Sequence, residues 1–184
     1  MAEILIAFAS SEGQTARICA ALASQLEEAG HGVDQVDLAA GAGVPDPASF
    51  DAVVVAASVH AGKHQKSAVR FAAENPDALS SRPTAFVSVG LAAIATSAEG
   101  RKRAGEQVRA FLDETGWQPD LVATPGGAFR YSEFPPIRRW VFRLSQRLFR
   151  KDLERQGWPD LTVDREFTDW NDVRRFGDEF AARL

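Results

Sequence analysis

An α/β domain on a doubly wound, five-stranded parallel sheet in the order 2-1-3-4-5, flanked by helices, is the architecture predicted by three features of the sequence. First, short apolar runs recur, and residues 4–8 (ILIAF) and 52–57 (AVVVAA) are apolar without a break, as strands covered on both faces must be. Second, segments of helical period alternate with these runs, which implies parallel strands joined by crossover helices. Third, the first run breaks off into the hydroxyl-rich turn Ser10-Ser11-Glu12-Gly13-Gln14-Thr15. In such sheets ligands sit beyond the carboxyl ends of the strands, where the strand order reverses. The 184 residues suffice for one domain, 1–184, with a full core.

Each element has its own signal. After the first turn, Ile18, Leu22, Gln25, Leu26 and Ala29 fall on one helical face, and Gly30-His31-Gly32 stops that helix. Residues 33–38 (VDQVDL) alternate as a second strand, and residues 39–49, rich in Gly and Pro, form a loop. The third strand, 52–57, ends in the polar turn Ser58-Val59-His60-Ala61-Gly62-Lys63-His64. Residues 65–73 make the next helix, with Val69, Ala72 and Ala73 inward and Pro76 just past its end. A fourth strand, 84–89 (TAFVSV), turns off at Gly90-Leu91-Ala92-Ala93. Residues 97–115 are helical, with Ala104, Val108, Phe111 and Leu112 on one face, and Gly116 closes the helix. Residues 119–124 form a short fifth strand that ends in Pro125-Gly126-Gly127. Thr168 caps a last helix, with Asp169 and Asp172 in its first turn and Val173, Phe176 and Phe180 as its apolar stripe.

The first turn narrows the ligand by what it lacks. A P-loop needs a GxxxxGK[ST] lysine and a dinucleotide loop needs GxGxxG, whereas this turn has no lysine and only Gly13. A phospho-acceptor receiver would close the first strand with Asp, where Ala9 and Ser10 stand. What remains is a loop whose hydroxyls (Ser10, Ser11, Thr15) and helix-opening amides hold one terminal phosphate. The competing use of the same residues is structural: Ser11 as helix cap, with Gln14 at the capping-box position. The other loops at that edge carry glycine or hydroxyl groups, so backbone can approach a flat ring. Together they suit a mononucleotide.

Composition sets outer limits. An apolar fraction of 45% and a charged fraction of 25% are those of a soluble globular chain, and no stretch reaches the roughly 20 apolar residues of a membrane span. The first strand begins directly after Met1-Ala2-Glu3, without a signal-peptide pattern, and Cys19 is the one cysteine; both fit a cytoplasmic setting. Cys19, beside the core face of the first helix, reads as packing. No metal-binding cluster is expected. The net charge of −4 is uneven: residues 130–155 hold eight basic residues (Arg130, Arg138, Arg139, Arg143, Arg147, Arg150, Lys151, Arg155) and three acids. Nucleic acid is set aside, because the rest is acidic and no binding motif is present.

Five stretches in register carry a resemblance: Ser-Glu-Gly-Gln-Thr in the first loop, then residues 54–62 (VVAASVHAG), 85–91 (AFVSVGL), 116–131 (GWQPDLVATPGGAFRY) and 167–173 (FTDWNDV). With an arginine-rich insert after Tyr131, at about 131–162, the chain resembles the flavodoxin-like fold. More narrowly, it resembles the menaquinone-dependent protoporphyrinogen IX dehydrogenases, FMN enzymes of haem biosynthesis. The resemblance implies an FMN-dependent oxidoreductase that oxidises a porphyrinogen and passes electrons to a quinone. It implies phosphate contacts at Ser10, Ser11, Gly13, Gln14 and Thr15. Ring contacts would come from Ser58, Val59, His60, Ala61 and Gly62 and from Ser88, Val89, Gly90 and Leu91, with Gly127, Phe129 and Tyr131 closing the pocket. His60 is the candidate catalytic residue, as a ring against the flavin or as a base, with an exposed loop histidine as the alternative; His64 has the same two readings.

Residues 137–151 (IRRWVFRLSQRLFRK) read as a helix with proline near its start. Ile137, Trp140, Val141, Leu144 and Leu148 form one apolar face, expected to dock on the body. Arg139, Arg143, Arg147 and Arg150 run beside it, and Phe142 and Phe149 make a second ridge. Arginine beside surplus apolar surface suits peripheral contact with an anionic membrane, on the inner face of the cell membrane. The alternative is a helix packed on both sides. Two other functions stay open: a flavodoxin-type electron carrier without a small substrate, and a flavin-free interaction domain. Porphyrinogen turnover separates the first from the enzyme, and flavin absorbance dismisses the second.

Overall fold

The computed structural model describes residues 1–41, 43–94, 98–133, 135–149, 151 and 162–184. Its central strands are β1 (Glu3–Ala9), β2 (Gly32–Asp37), β3 (Ala52–His60), β5 (Thr84–Val89) and β6 (Leu121–Ala123). They pair in parallel in the order β2-β1-β3-β5-β6, which is the predicted doubly wound sheet. One short strand intervenes in the count: β4 (Lys63–His64) folds back antiparallel on the end of β3.

Alternation along the strands divides the core between two helical layers. On one face Ile4, Ile6, Val54 and Val87 pack against Ile18, Leu22 and Leu26 of α1 (Gln14–Glu28) and against Val173, Phe176 and Phe180 of the last helix, α6 (Trp170–Ala181). On the other, Leu5, Val53, Val55 and Phe86 meet Phe71 of α2 (Lys66–Glu74), Phe111 of α4 (Ala98–Thr115) and Trp117. Phe86 and Phe111 stack with centroids 4.2 Å apart. Truncating either to alanine removes about 3–5 kcal/mol.

Helix ends differ from expectation in two places. Pro76 does not merely follow α2: it opens a short helix, α3 (Pro76–Ser80), where its missing N–H costs nothing. The cap of α6 is Asp169, whose carboxylate accepts from Asn171 N (2.9 Å) and Asp172 N (3.4 Å). Thr168 is turned away, and its hydroxyl donates to Gly126 O at 2.7 Å.

The insert rises from a short ribbon. β7 (Ala128–Phe129) pairs antiparallel with β8 (Arg165–Glu166), Phe167 N donates to Gly127 O at 3.0 Å, and Ser132 donates to the Asp164 carboxylate through both N and Oγ. That pair of donors holds the Asp164 carboxyl below the usual range. Ser97, Arg150 and Arg155 lie outside the described residues, as does 152–161 of the insert.

Between the ribbon's ends stands α5 (Pro136–Leu148), and its docking face is the reverse of the expected one. Phe142 packs on Phe129 and Tyr131, at centroid distances of 5.3 and 6.1 Å, and Tyr131 OH donates to Arg139 O. These contacts fix the helix's rotation and leave Ile137 (80% exposed), Trp140 (67%) and Leu148 (71%) in solvent, with Val141 and Leu144 also exposed. Phe149, the other half of the second ridge, is exposed too.

Candidate functional site

A cleft of about 220 Å³ opens at the carboxyl ends of β1, β3 and β5, where the strand order reverses. Four loops wall it. In the first, Gly13 adopts φ +79°, in the left-handed region where a side chain is strained, and leads into α1. Ser10 Oγ accepts from Gly13 N at 3.0 Å and closes the loop. No side chain caps α1, so the Ser11 capping box does not form, and no acid occupies the first turn. The uncapped start of α1, with Gln14 and Thr15 on the cleft wall, brings the positive end of the helix dipole to the cleft.

Thr15 is the most telling residue of this loop. It is 1% exposed and lines the cleft, yet its Oγ1 has no hydrogen-bond partner. A buried hydroxyl left unpaired costs about 1–3 kcal/mol. A ligand oxygen at the helix terminus would remove that cost. Among the described residues no lysine or arginine lines the cleft, so hydroxyls and amides are the groups there that would hold a phosphate.

Gln14 behaves otherwise. Its Nε2 donates to Thr168 Oγ1 (2.8 Å), and its Oε1 accepts from Arg17 Nη1 (3.0 Å). Arg17 pairs with Glu166 at 2.7 Å and lies over the Trp170 ring, and it holds the Glu166 carboxyl below the usual range. The Gln14 side chain therefore braces the first loop against the ribbon, which leaves its backbone amide for an anion.

The second loop is a tight hairpin. Ala61 (φ +49°) and Gly62 (φ +82°) join β3 to β4, the positive-φ pair that two-residue hairpins favour. Among the described residues Ala61 is the one non-glycine with positive φ, held in strain at the cleft wall. Ser58, Val59, His60 and Ala61 line the cleft, and His60 is exposed at its rim. Gly62 shapes the turn without lining it. His64 is neither on the cleft nor exposed: it is buried against Phe86 and Phe111, with Nε2 2.8 Å from Ser88 Oγ. Burial lowers its pKa to about 4, so the ring is neutral.

In the third loop Val89, Gly90 and Leu91 line the cleft, and Ser88 stands behind them, bonded to His64. A Cβ on Gly90 would lie 3.2 Å from Val59 Cβ, closer than ordinary packing allows. The fourth loop supplies Gly127 and Phe129; Tyr131 packs behind Phe129 with Phe142. Glu12 and Ala128 also line the cleft, and Gln65 bonds both Ser11 and Ser58. The sequence pattern places Gln65 only as the first residue of the helix 65–73, with no functional signal; in the structure it precedes the helix as its N-cap position.

Hydroxyls and helix-opening amides at the switch point of a parallel sheet in the order β2-β1-β3-β5-β6, with glycine-bearing backbone as the other walls, are the features of a mononucleotide-binding α/β protein. The chain belongs to the flavodoxin domain family, whose model matches residues 5–154, and to its protoporphyrinogen IX dehydrogenase branch. It is 34% identical to the protoporphyrinogen IX dehydrogenase [quinone] of Escherichia coli over 180 residues, 96% of this chain and 93% of that protein. The oxidised flavodoxin 1 of Bacillus cereus superposes with a TM-score of 0.58 at 15% identity, covering 99% of both chains. A Fusobacterium nucleatum flavodoxin mutant bound to flavin mononucleotide superposes with a TM-score of 0.52 at 12% identity, covering 100% of this chain and 95% of that one.

Proposed function

We propose that the chain is an FMN-dependent oxidoreductase that oxidises a porphyrinogen and delivers the electrons to a quinone. The observation that carries the cofactor is the unpartnered, buried Thr15 hydroxyl beside the uncapped start of α1. The relative's name supports the substrate and the acceptor. FMN, when bound, supplies the reversible acceptance of hydride. The chain's own residues hold it: Ser10, Ser11, Thr15 and the α1 amides the phosphate, the backbone of 58–61 and 89–91 the ring, and Phe129 the outer wall. His60 lines the cleft and is exposed, which supports it as the base that would take the proton released when the substrate methylene loses hydride.

No helix among the described residues is long and apolar enough to cross a membrane. The solvent-facing stripe of α5, with exposed Arg143, Arg147 and Lys151, supports a peripheral contact with anionic lipid on the cytoplasmic side. Each basic residue near such a surface contributes about 1 kcal/mol. That location would bring the flavin to a lipid-soluble acceptor.

The test is to purify the protein, record its flavin absorbance, and follow porphyrinogen oxidation with and without a menaquinone analogue. Bound flavin with quinone-dependent turnover is the expected result. Bound flavin with fast exchange to a reductase but no turnover would make the protein a carrier instead, and a colourless protein that takes up no FMN would end the flavin reading.

A further inference from the structure

Gln65 stands outside every motif in the sequence, yet it joins the two loops that meet at the cleft. It is the residue before α2, and its backbone carbonyl accepts from Ala68 N (3.1 Å) and Val69 N (3.2 Å). The side chain caps nothing and turns back across the loops. There Nε2 donates to Ser58 Oγ at 3.0 Å and to Ser11 Oγ, and the two hydroxyl oxygens are themselves 3.3 Å apart. Ser11 and Ser58 both line the cleft.

We infer that Gln65 is a positioning residue that sets the direction of these hydroxyls, so that one of them meets the ligand only as a donor. The proton inventory requires it. A side-chain amide has two N–H protons, and a hydroxyl has one proton and two lone pairs. Gln65 places one proton on each serine oxygen. One serine then donates to the other, whose two lone pairs are thereby filled. That second hydroxyl keeps its proton, which cannot return to the first serine because that serine's own O–H already fills the contact between them. A phosphate, ribityl or ring-carbonyl oxygen is the partner such a group fits. A carboxylate at position 65 would do the reverse, drawing both serine protons away from the cleft and adding negative charge beside an anion.

The inference rests on the flavin reading for its probe, FMN, and the test separates the two. FMN affinity is measured by fluorescence quenching for the wild type, Gln65→Glu and Gln65→Leu, from pH 8 to pH 5, with each variant's value divided by the wild type's. Gln65→Glu is expected to bind about tenfold or more weakly at pH 8. The deficit should shrink toward pH 5, as the carboxyl takes a proton and donates again. Gln65→Leu, which removes the donors without adding charge, should show a smaller loss with no pH trend in the ratio. General loosening of the loops would lower affinity in both variants without a pH trend in either, and that result overturns the inference. So does an unchanged affinity in Gln65→Glu, which would mean that the side-chain carbonyl faces the serines. A wild type that binds no FMN overturns this inference and the flavin reading together; wild-type binding with an indifferent position 65 overturns this inference alone.

Discussion

His64 ties stability to pH in a way that can be worked out in advance. The ring is buried against Phe86 and Phe111 and hydrogen-bonded to Ser88, and burial lowers its pKa from 6.5 to about 4. The unfolded chain takes up this proton near pH 6.5 and the folded chain only near pH 4, so the folded state binds fewer protons in between. The stability associated with the neutral ring is therefore complete above about pH 6.5 and is lost as pH falls. About 2 kcal/mol goes by pH 5 and about 3 kcal/mol by pH 4, since each unit between the two pKa values is worth about 1.4 kcal/mol. Urea unfolding of the wild type and of His64→Gln at several pH values isolates the effect, because every other titrating group is common to both. The variant starts lower, having lost ring packing, and the gap should narrow by those amounts on acidification. Parallel curves, or an imidazole resonance that titrates near pH 6.5, would refute the reasoning.

Two further outcomes follow from burial and exposure. Cys19 is fully buried and its thiol is pushed well above the usual range, so an aromatic disulfide reagent should modify it only after denaturation; stoichiometric reaction with the native protein would contradict that packing. The α5 stripe predicts that the protein co-sediments with vesicles containing anionic lipid and much less with neutral ones. Leu144→Glu, at an exposed position, should reduce that binding severalfold without lowering the melting temperature, and equal binding to both kinds of vesicle would deny the surface its role.

The sheet could be read from sequence because its strands are uninterrupted apolar runs and its crossovers have clear helical period. β4 could not, because a two-residue strand has no periodicity; only the Ala61-Gly62 turn hinted at it. The loops of the cleft were legible as loops, but not the direction of each side chain. Gln14 and Ser88 sit in the expected segments with their side chains bonded to Thr168 and His64, partners 154 and 24 residues away in the chain. Local pattern has no access to contacts of that span. The docking face of α5 escapes sequence pattern for a related reason. Amphipathicity identifies a larger and a smaller apolar stripe, but which one docks depends on the Phe129 and Tyr131 platform waiting beneath it.

In the proposed function the opening of α1 grips a single phosphate. Equilibrium binding of FMN and of riboflavin to the wild type and to Thr15→Val tests it most directly, since the two ligands differ only in that phosphate. The wild type should prefer FMN by tenfold or more, and loss of the Thr15 hydroxyl should remove about 1.5–3 kcal/mol of FMN binding while sparing riboflavin. Equal affinity for the two ligands, or a Thr15→Val variant that binds FMN as the wild type does, would place the phosphate elsewhere.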